Sequence, residues 1–588
     1  MIGIPGASRL QSPMPVPRIG RRFLVVAVLF VCGCRAVDVG PMITPSASSI
    51  PTGESLVPRA CKARREGRKL ERKGDDASVD RFYEATVYAA AALAATSAVG
   101  SVDTEEFTRI RDLYNGCLGD CLRAGQKFGR LDPKTSLVVN TPAGSQSIPI
   151  RHSGFVWKVD DFGQVVDPAA VPPNPNAHAP ADFPGLGANL AVERPNPKRD
   201  RPDDFLPRIA VFNTTAILRP DLDTWLMGPT RRAPSDVLEF HDPLRTRSVA
   251  FGADPALPLR ADLGVASAQA RAIQEERGPF ALAGFARPEL MLDKADIRML
   301  EPYQKGRSPI LLIHGLLDDP FLFNDMIVAL QRTPGFLDRH QIWVFRYPTG
   351  VTFIRSASIL RAKIEEISAA VDPGAADPAM SDWTLLGYSM GGLLTRLQIS
   401  WSDDAVWNVV SNRPVDGLTM SDDARKTVRN LFFFEPSPRV KRAVFIATPH
   451  DGASPEIAVA SWLATRIIQR PADTRQLVTE IENANPGALK PGLRDLPSSV
   501  DTLASYSPLL PAIRRLTINP EVTIHTIAGT GLHSPESGRG RGDLVVPLTS
   551  AHLDEAVSEH HVRATHSDIY YNRDTIDEVR RILGFADP

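Results

Sequence analysis

From about residue 300 onward the chain alternates two apolar patterns. Ile310-Leu311-Leu312-Ile313, Ile342-Trp343-Val344-Phe345, Trp383-Thr384-Leu385-Leu386, Ala443-Val444-Phe445-Ile446-Ala447 and Val522-Thr523-Ile524-His525-Thr526-Ile527 are short, nearly continuous apolar runs. Such runs are expected of strands buried on both faces of a parallel sheet. Between and after them, Ser358 to Val371, Leu393 to Ile399 and Ile569 to Leu583 carry apolar residues at helical spacing. Strands alternating with helices predict a doubly wound α/β fold for residues 300–588.

Upstream the pattern is different. Residues 56–130 read as a helical domain: a basic stretch from Lys62 to Lys73, an Ala-rich stretch from Val79 to Ser97, and Thr104 to Phe128, punctuated at Gly74-Asp75 and Gly100-Ser101. The basic stretch has two readings, a solvated helix face or a contact with anionic headgroups. Residues 136–290 read as a β-rich module, with strands expected at Leu137-Val138-Val139, Phe155-Val156-Trp157, Ile209-Ala210-Val211-Phe212 and Ser248-Val249-Ala250-Phe251. A proline-rich loop is expected across 163–205, and the Ser-, Pro-, Thr- and Gly-rich residues 35–55 read as a flexible tether.

Composition narrows the field. The chain has 588 residues, 51 of them proline, a share well above the usual ~5%. Its 67 Lys and Arg nearly cancel 68 Asp and Glu, leaving a net charge of -1. That balance excludes a dominantly nucleic-acid-binding chain. Five cysteines are too few for a disulfide scaffold, and no apolar run reaches the roughly 18–20 residues of a membrane span. Cys117 and Cys121 stand one helical turn apart, so a bridge between them would be strained; a bridge from Cys61 to either is easier. No histidine cluster accompanies them, and no metal site is expected.

The N-terminus has the form of an export address. Arg18, Arg21 and Arg22 precede the apolar run Phe23 to Val31, which ends in Val31-Cys32-Gly33-Cys34. This ending resembles a bacterial lipobox. The resemblance implies a signal peptide over residues 1–33 and lipidation of Cys34, which would tie the protein to a membrane through its lipid anchor. Arg35 rather than Asp follows the cysteine, which resembles outer-membrane sorting within the cell envelope.

Chemistry concentrates in the C-terminal half. The strand ending at Leu386 runs into Gly387-Tyr388-Ser389-Met390-Gly391-Gly392 and then a helix. A G-x-S-x-G string alone is weak, but between a buried strand and a helix it describes a tight turn that presents a serine hydroxyl at the sheet's carboxyl edge. Together with His314-Gly315-Leu316, Thr448-Pro449-His450-Asp451-Gly452, Gly542-Asp543-Leu544-Val545-Val546-Pro547 and Thr565-His566-Ser567-Asp568, it resembles the α/β-hydrolase superfamily, in its bacterial lipase and esterase branch. The resemblance covers about half of the chain. It implies a serine nucleophile, Ser389; a histidine base, His566, with His560 and His561 as rivals; and an acid, Asp543, with Asp451 and Asp554 in reserve. It also implies an oxyanion hole from the backbone N–H groups of Met390 and Leu316, and no cofactor. His314 reads as a loop brace.

The implied activity is hydrolysis of a carboxylic ester or lipid through an acyl-enzyme. The alternatives are an acyltransferase using the same nucleophile and a non-catalytic envelope scaffold with a relic hydrolase domain. Residues 455–520, with the apolar Ile457 to Leu463 and Ile467-Ile468, read either as a lid over the site or as a second-layer helix on the core. Oligomeric state leaves no mark in the sequence.

Overall fold

The computed structural model describes residues 53–98, 104–142, 144–195, 201–226, 235–276, 280–453, 472–490, 502–504, 507–531 and 542–585. The expected signal peptide, Cys34 and nearly all of the tether lie outside them, as do Ile457 to Leu463 and Ile467-Ile468.

Three helices open the described chain: α1 (Gly53–Arg72), α2 (Ser78–Ala98) and α3 (Glu105–Lys127). The Thr104 side chain caps α3 by accepting from the Phe107 N–H at 3.1 Å. Part of the basic stretch on α1 is neutralised inside the fold. Arg64 and Arg68 both reach Asp120 of α3, at 2.8 and 3.1 Å. The easier Cys61 bridge is not formed: Cys61, Cys117 and Cys121 are all free, with Cys117 packed against Ala63 and Ala85 and the Cys121 thiol facing the Val79 carbonyl.

The helices pack on a seven-stranded sheet made of β1 (Leu131–Asp132), β2 (Ser136–Thr141), β3 (Gly144–Ser153), β4 (Gln164–Val166), β5 (Ala188–Glu193), β6 (Val211–Arg219) and β7 (Val237–His241), in the order β1-β2-β3-β7-β6-β5-β4. Two sequence expectations fail here. Phe155-Val156-Trp157 is not a strand. Its rings fold over the sheet instead, with Trp157 stacked on Phe212 at 4.8 Å and Phe155 edge-on to Phe162 at 4.9 Å. The region 163–205 is not all loop either. It contributes β4 and β5, because the prolines cluster on either side of Ala188–Glu193 and leave that run free to pair.

A second seven-stranded sheet follows: β8 (Asp296–Met299), β9 (Ser308–Ile313), β10 (His340–Arg346), β11 (Trp383–Tyr388), β12 (Val440–Ile446), β13 (Thr523–Gly529) and β14 (Ser558–Val562). Its order is β8-β10-β9-β11-β12-β13-β14, parallel throughout except for the antiparallel edge strand β8. Helices α4 (Asn324–Arg332), α5 (Phe353–Val371), α6 (Met390–Arg396) and α7 (Arg573–Ile582) connect or close it. This is the α/β-hydrolase fold that the motifs imply.

Strand alternation divides the core in two. Leu311 and Ile313 face one hydrophobic core that continues into the N-terminal helices and the first sheet, whereas Ile310 and Leu312 face the core closed by α4 and α7. A smaller cluster joins Trp407, Val415 and Val428 to Ile481 and Leu489. Within the 455–520 insertion, Ile481 and Leu489 thus pack against residues 407–433, whereas Leu509, Leu510 and Ile513 join the larger core.

Burial also sets how the fold responds to acid. His314, His340, His450 and His525 are buried; desolvation pushes the first, second and fourth down to about 4 and His450 well below the usual imidazole range. In the unfolded chain these imidazoles take up protons below about 6.5, which the folded ones refuse, so stability falls as pH drops through that range. Asp242 and Asp318, whose carboxyls burial pushes up, hold protons in the fold and act in the opposite direction. Asp262, Asp296 and Asp319 are pushed up by burial in the same direction as those two, so the expectation rests on the four imidazoles, which stay neutral across the range where the unfolded ones charge. The thermal unfolding midpoint is expected to be lower at pH 5 than at pH 7.5, and an equal or higher midpoint at pH 5 would contradict this reading.

Candidate active site

The turn between β11 and α6 holds Ser389 in a backbone conformation that side chains rarely adopt, φ 53° and ψ -123°. Such strain costs on the order of 1–3 kcal/mol and persists only where the surroundings over-determine it. Here they do. The Ser389 N–H donates to the Ile446 carbonyl at 2.9 Å, and the Gly392 N–H donates to the Ser389 carbonyl at 3.0 Å. The flanking glycines are required by contact. A Cβ on Gly391 would lie 2.2 Å from the Ile313 carbonyl oxygen, and one on Gly387 would lie 2.5 Å from that of Gly391. Only without side chains can β9, the turn and α6 approach this closely.

Ser389, His566 and Asp543 meet in one hydrogen-bonded chain. His566 Nε2 is 2.9 Å from Ser389 Oγ, and His566 Nδ1 is 2.7 Å from Asp543 Oδ2. Asp543 is buried, and its other oxygen, Oδ1, accepts from the N–H groups of Val545 at 2.9 Å and Val546 at 2.7 Å. Gly542 makes this tight turn with φ 122°. The loop carrying His566 is tied down twice more: its backbone N–H donates to the Asp543 carbonyl at 2.9 Å, and the Tyr388 hydroxyl donates to the His566 carbonyl at 2.7 Å.

The other candidates lie elsewhere. His560 and His561 are on β14, and His561 Nε2 contacts Glu559 at 2.7 Å. Asp451 pairs with Arg514, and Asp554, nearly fully exposed, with His552. His314 is buried under the serine turn, its Nδ1 at 3.0 Å from the Gly315 carbonyl and its ring stacked on Tyr347 at 4.4 Å. Burial pushes this imidazole down to about 4, so it is neutral and braces the loop. That loop carries Leu316, half-buried beside the site; Leu317 follows in the left-handed region, φ 62°, with its N–H on Thr349 Oγ1 at 3.1 Å. Met390 is the first residue of α6.

Two features were not singled out from sequence. Tyr388, read only as part of the motif, anchors the His566 loop. Asp318 folds back beside Gly315 and Ser389; its one sequence signal is an acid two residues beyond the candidate oxyanion donor. A segment of the N-terminal half also reaches this region. The backbone N–H groups of His178 and Ala179 donate to Asp325 at 2.8 and 2.9 Å, and the His178 ring stacks on Tyr571 at 3.7 Å, close behind the His566 loop. Among the described residues no group of three or more His, Cys, Asp or Glu is arranged to hold a metal ion.

No protein-family model and no curated protein matches the chain. Solved structures do. A lipase from Bacillus licheniformis in its mature form is similar at 16% identity over 48% of this chain and 93% of its own, with a TM-score of 0.29. A lipase-esterase related protein from Clostridium acetobutylicum is similar at 10% identity over 50% of this chain and 99% of its own, TM-score 0.26. An epimerase of bottromycin, BotH, is similar at 14% identity over 50% and 94%, TM-score 0.25. Likeness at this level carries nothing about activity, since one fold hosts many chemistries.

Proposed function

We propose that the protein is a serine ester hydrolase. The observation that carries the reading is the continuous hydrogen-bonded chain from Asp543 through His566 to Ser389, with the serine on a strained turn at the carboxyl edge of the sheet. A serine hydroxyl is a weak nucleophile until a base takes its proton. In this reading Ser389 Oγ attacks the ester carbonyl as His566 Nε2 accepts the hydroxyl proton. Asp543 keeps the other imidazole proton on Nδ1 and stabilises the imidazolium. The backbone N–H groups of Met390 and Leu316 receive the developing oxyanion. His566 then returns its proton to the departing alcohol, leaving an acyl-enzyme that water hydrolyses by the same steps in reverse. The chain's own residues fill every role, so no cofactor is called on. The test is hydrolysis of p-nitrophenyl esters from acetyl to palmitoyl by the purified full chain. Release above the buffer rate is expected, with the preferred acyl length separating esterase from lipase; no release with any ester would overturn the reading.

The placement we propose is the bacterial cell envelope, through a lipid on Cys34 and at the outer membrane. The supporting feature is the sequence around Val31-Cys32-Gly33-Cys34 and the Arg35 that follows it. Cells expressing the protein are expected to incorporate labelled palmitate into it, and Cys34→Ala is expected to abolish the label. Unchanged labelling in the variant would refute the anchor.

A further inference from the structure

Asp318 is a carboxylate at the nucleophile that nothing in the mechanism uses. Leu317, held left-handed by its bond to Thr349, turns the chain so that Asp318 comes back over Gly315. A Cβ placed on Gly315 would lie 3.1 Å from Ser389 Cβ and 3.2 Å from Asp318 Oδ2. The acid and the nucleophile therefore flank one small space, kept open by the missing side chain. Asp319 differs from its neighbour: it caps the next turn by accepting from the Phe321 N–H at 2.9 Å. No hydrogen-bond or ion-pair partner for Asp318 is found among the described residues.

The groups facing Asp318 make its position costly. Tyr347, Tyr388 and Tyr570 lie within electrostatic reach of it, and each phenol is pushed up by burial and further by the Asp318 charge. Burial and Asp319 push the Asp318 carboxyl itself up to about 7, with only His566 favouring its ionised form. Asp318 is half-buried, so its oxygens keep some contact with solvent, but no protein donor offsets its charge. A cation arriving with the substrate would supply an opposite charge at short range in this partly solvated space.

We propose that Asp318 forms a cation subsite beside Ser389 and that the substrate is an ester carrying an ammonium group a few bonds from the scissile carbonyl. This rests on the reading of Ser389 as the nucleophile of an ester hydrolase. The exposed side chains of Leu317 and Leu544 on the two loops bordering the site suit an apolar remainder of that substrate. The ammonium belongs to either the acyl or the alcohol half, and the test separates the two.

Two isosteric pairs are compared at pH 8.5, where the carboxylate is ionised. On the acyl side these are p-nitrophenyl 4-(trimethylammonio)butanoate and p-nitrophenyl 5,5-dimethylhexanoate. On the alcohol side they are butyrylcholine and 3,3-dimethylbutyl butyrate. For one pair the unaltered protein is expected to favour the cationic member about tenfold in kcat/KM, a modest return for opposite charges this close in a partly solvated site. Asp318→Asn is expected to collapse that ratio towards one, through KM more than kcat, and Asp318→Glu to preserve the preference. Labelling of Ser389 by a neutral fluorophosphonate reports whether each variant is folded. Ratios near or below one for both pairs in the unaltered protein overturn the proposal even if Asp318→Asn fails to fold, and so does an unchanged ratio in a folded variant. If the neutral esters are cleaved with flat ratios, the subsite alone fails. If no ester is cleaved and Ser389 takes no fluorophosphonate, the hydrolase reading fails and this proposal falls with it.

Discussion

Replacing Ser389 with alanine is expected to reduce ester hydrolysis by about 10⁶-fold in kcat, the cost typical of removing a nucleophile that works as one unit with its base. The residual rate, roughly 10³–10⁴ over uncatalysed hydrolysis, would come from the oxyanion donors and substrate binding alone. The substitution removes one oxygen whose described partner is His566 Nε2. It also leaves the turn's backbone bonds to Ile446 and Gly392 untouched, so the variant is expected to fold. Its thermal midpoint should therefore match that of the unaltered protein within a few degrees while p-nitrophenol release falls to near background. A variant that keeps a tenth of the activity would exclude Ser389 as the nucleophile.

The second large effect is expected from Asp543→Asn, and its direction follows from the geometry. The N–H groups of Val545 and Val546 both donate to Asp543 Oδ1, so an asparagine would place its carbonyl oxygen there and turn its NH2 towards His566. An NH2 donor opposite Nδ1 forces that nitrogen to accept, which moves the remaining imidazole proton to Nε2, where it faces the Ser389 hydroxyl. The base is then in the wrong tautomer to take a proton. A loss in kcat of about 10⁴-fold is expected, with KM little changed. The turn keeps its two backbone bonds, so stability should be nearly unaltered. A loss below tenfold in steady-state kinetics would show that Asp543 does not orient the base.

How much of this could be read in the sequence depended on burial. Strands buried on both faces, such as Ile310–Ile313 and Trp383–Leu386, stand out as apolar runs because both sides of the backbone need apolar side chains. The edge strands β8 and β14 did not, since Ser558–Val562 reads Ser-Glu-His-His-Val and meets solvent on one side. Phe155-Val156-Trp157 resembled a strand because aromatic residues suit sheets equally as partners and as covers, and one sequence does not tell the two apart. Ala188–Glu193 is hidden by the prolines that flank it on both sides.

The candidate site divides in the same way. Ser389, Asp543 and His566 are each marked by a local turn motif in the expected order along the chain, and the fold brings all three together. His566 parts from His560 and His561 because the latter two belong to a strand that ends before the loop reaches the serine. Asp318 carried no such mark. Asp318-Asp319 before Pro320 reads as an ordinary turn with a helix cap, which Asp319 indeed supplies. Only the approach of Gly315 to Ser389 in three dimensions puts the other acid beside Ser389.

The most direct measurement of the central claim is reaction of the full-length protein with a fluorophosphonate, followed by peptide mapping of the adduct by mass spectrometry. One phosphonyl group on Ser389 is expected, formed quickly in the unaltered protein, absent from Ser389→Ala and much slowed in Asp543→Asn. An adduct on a different serine, or none under conditions where the protein is folded, would contradict the assignment of Ser389 as an activated nucleophile.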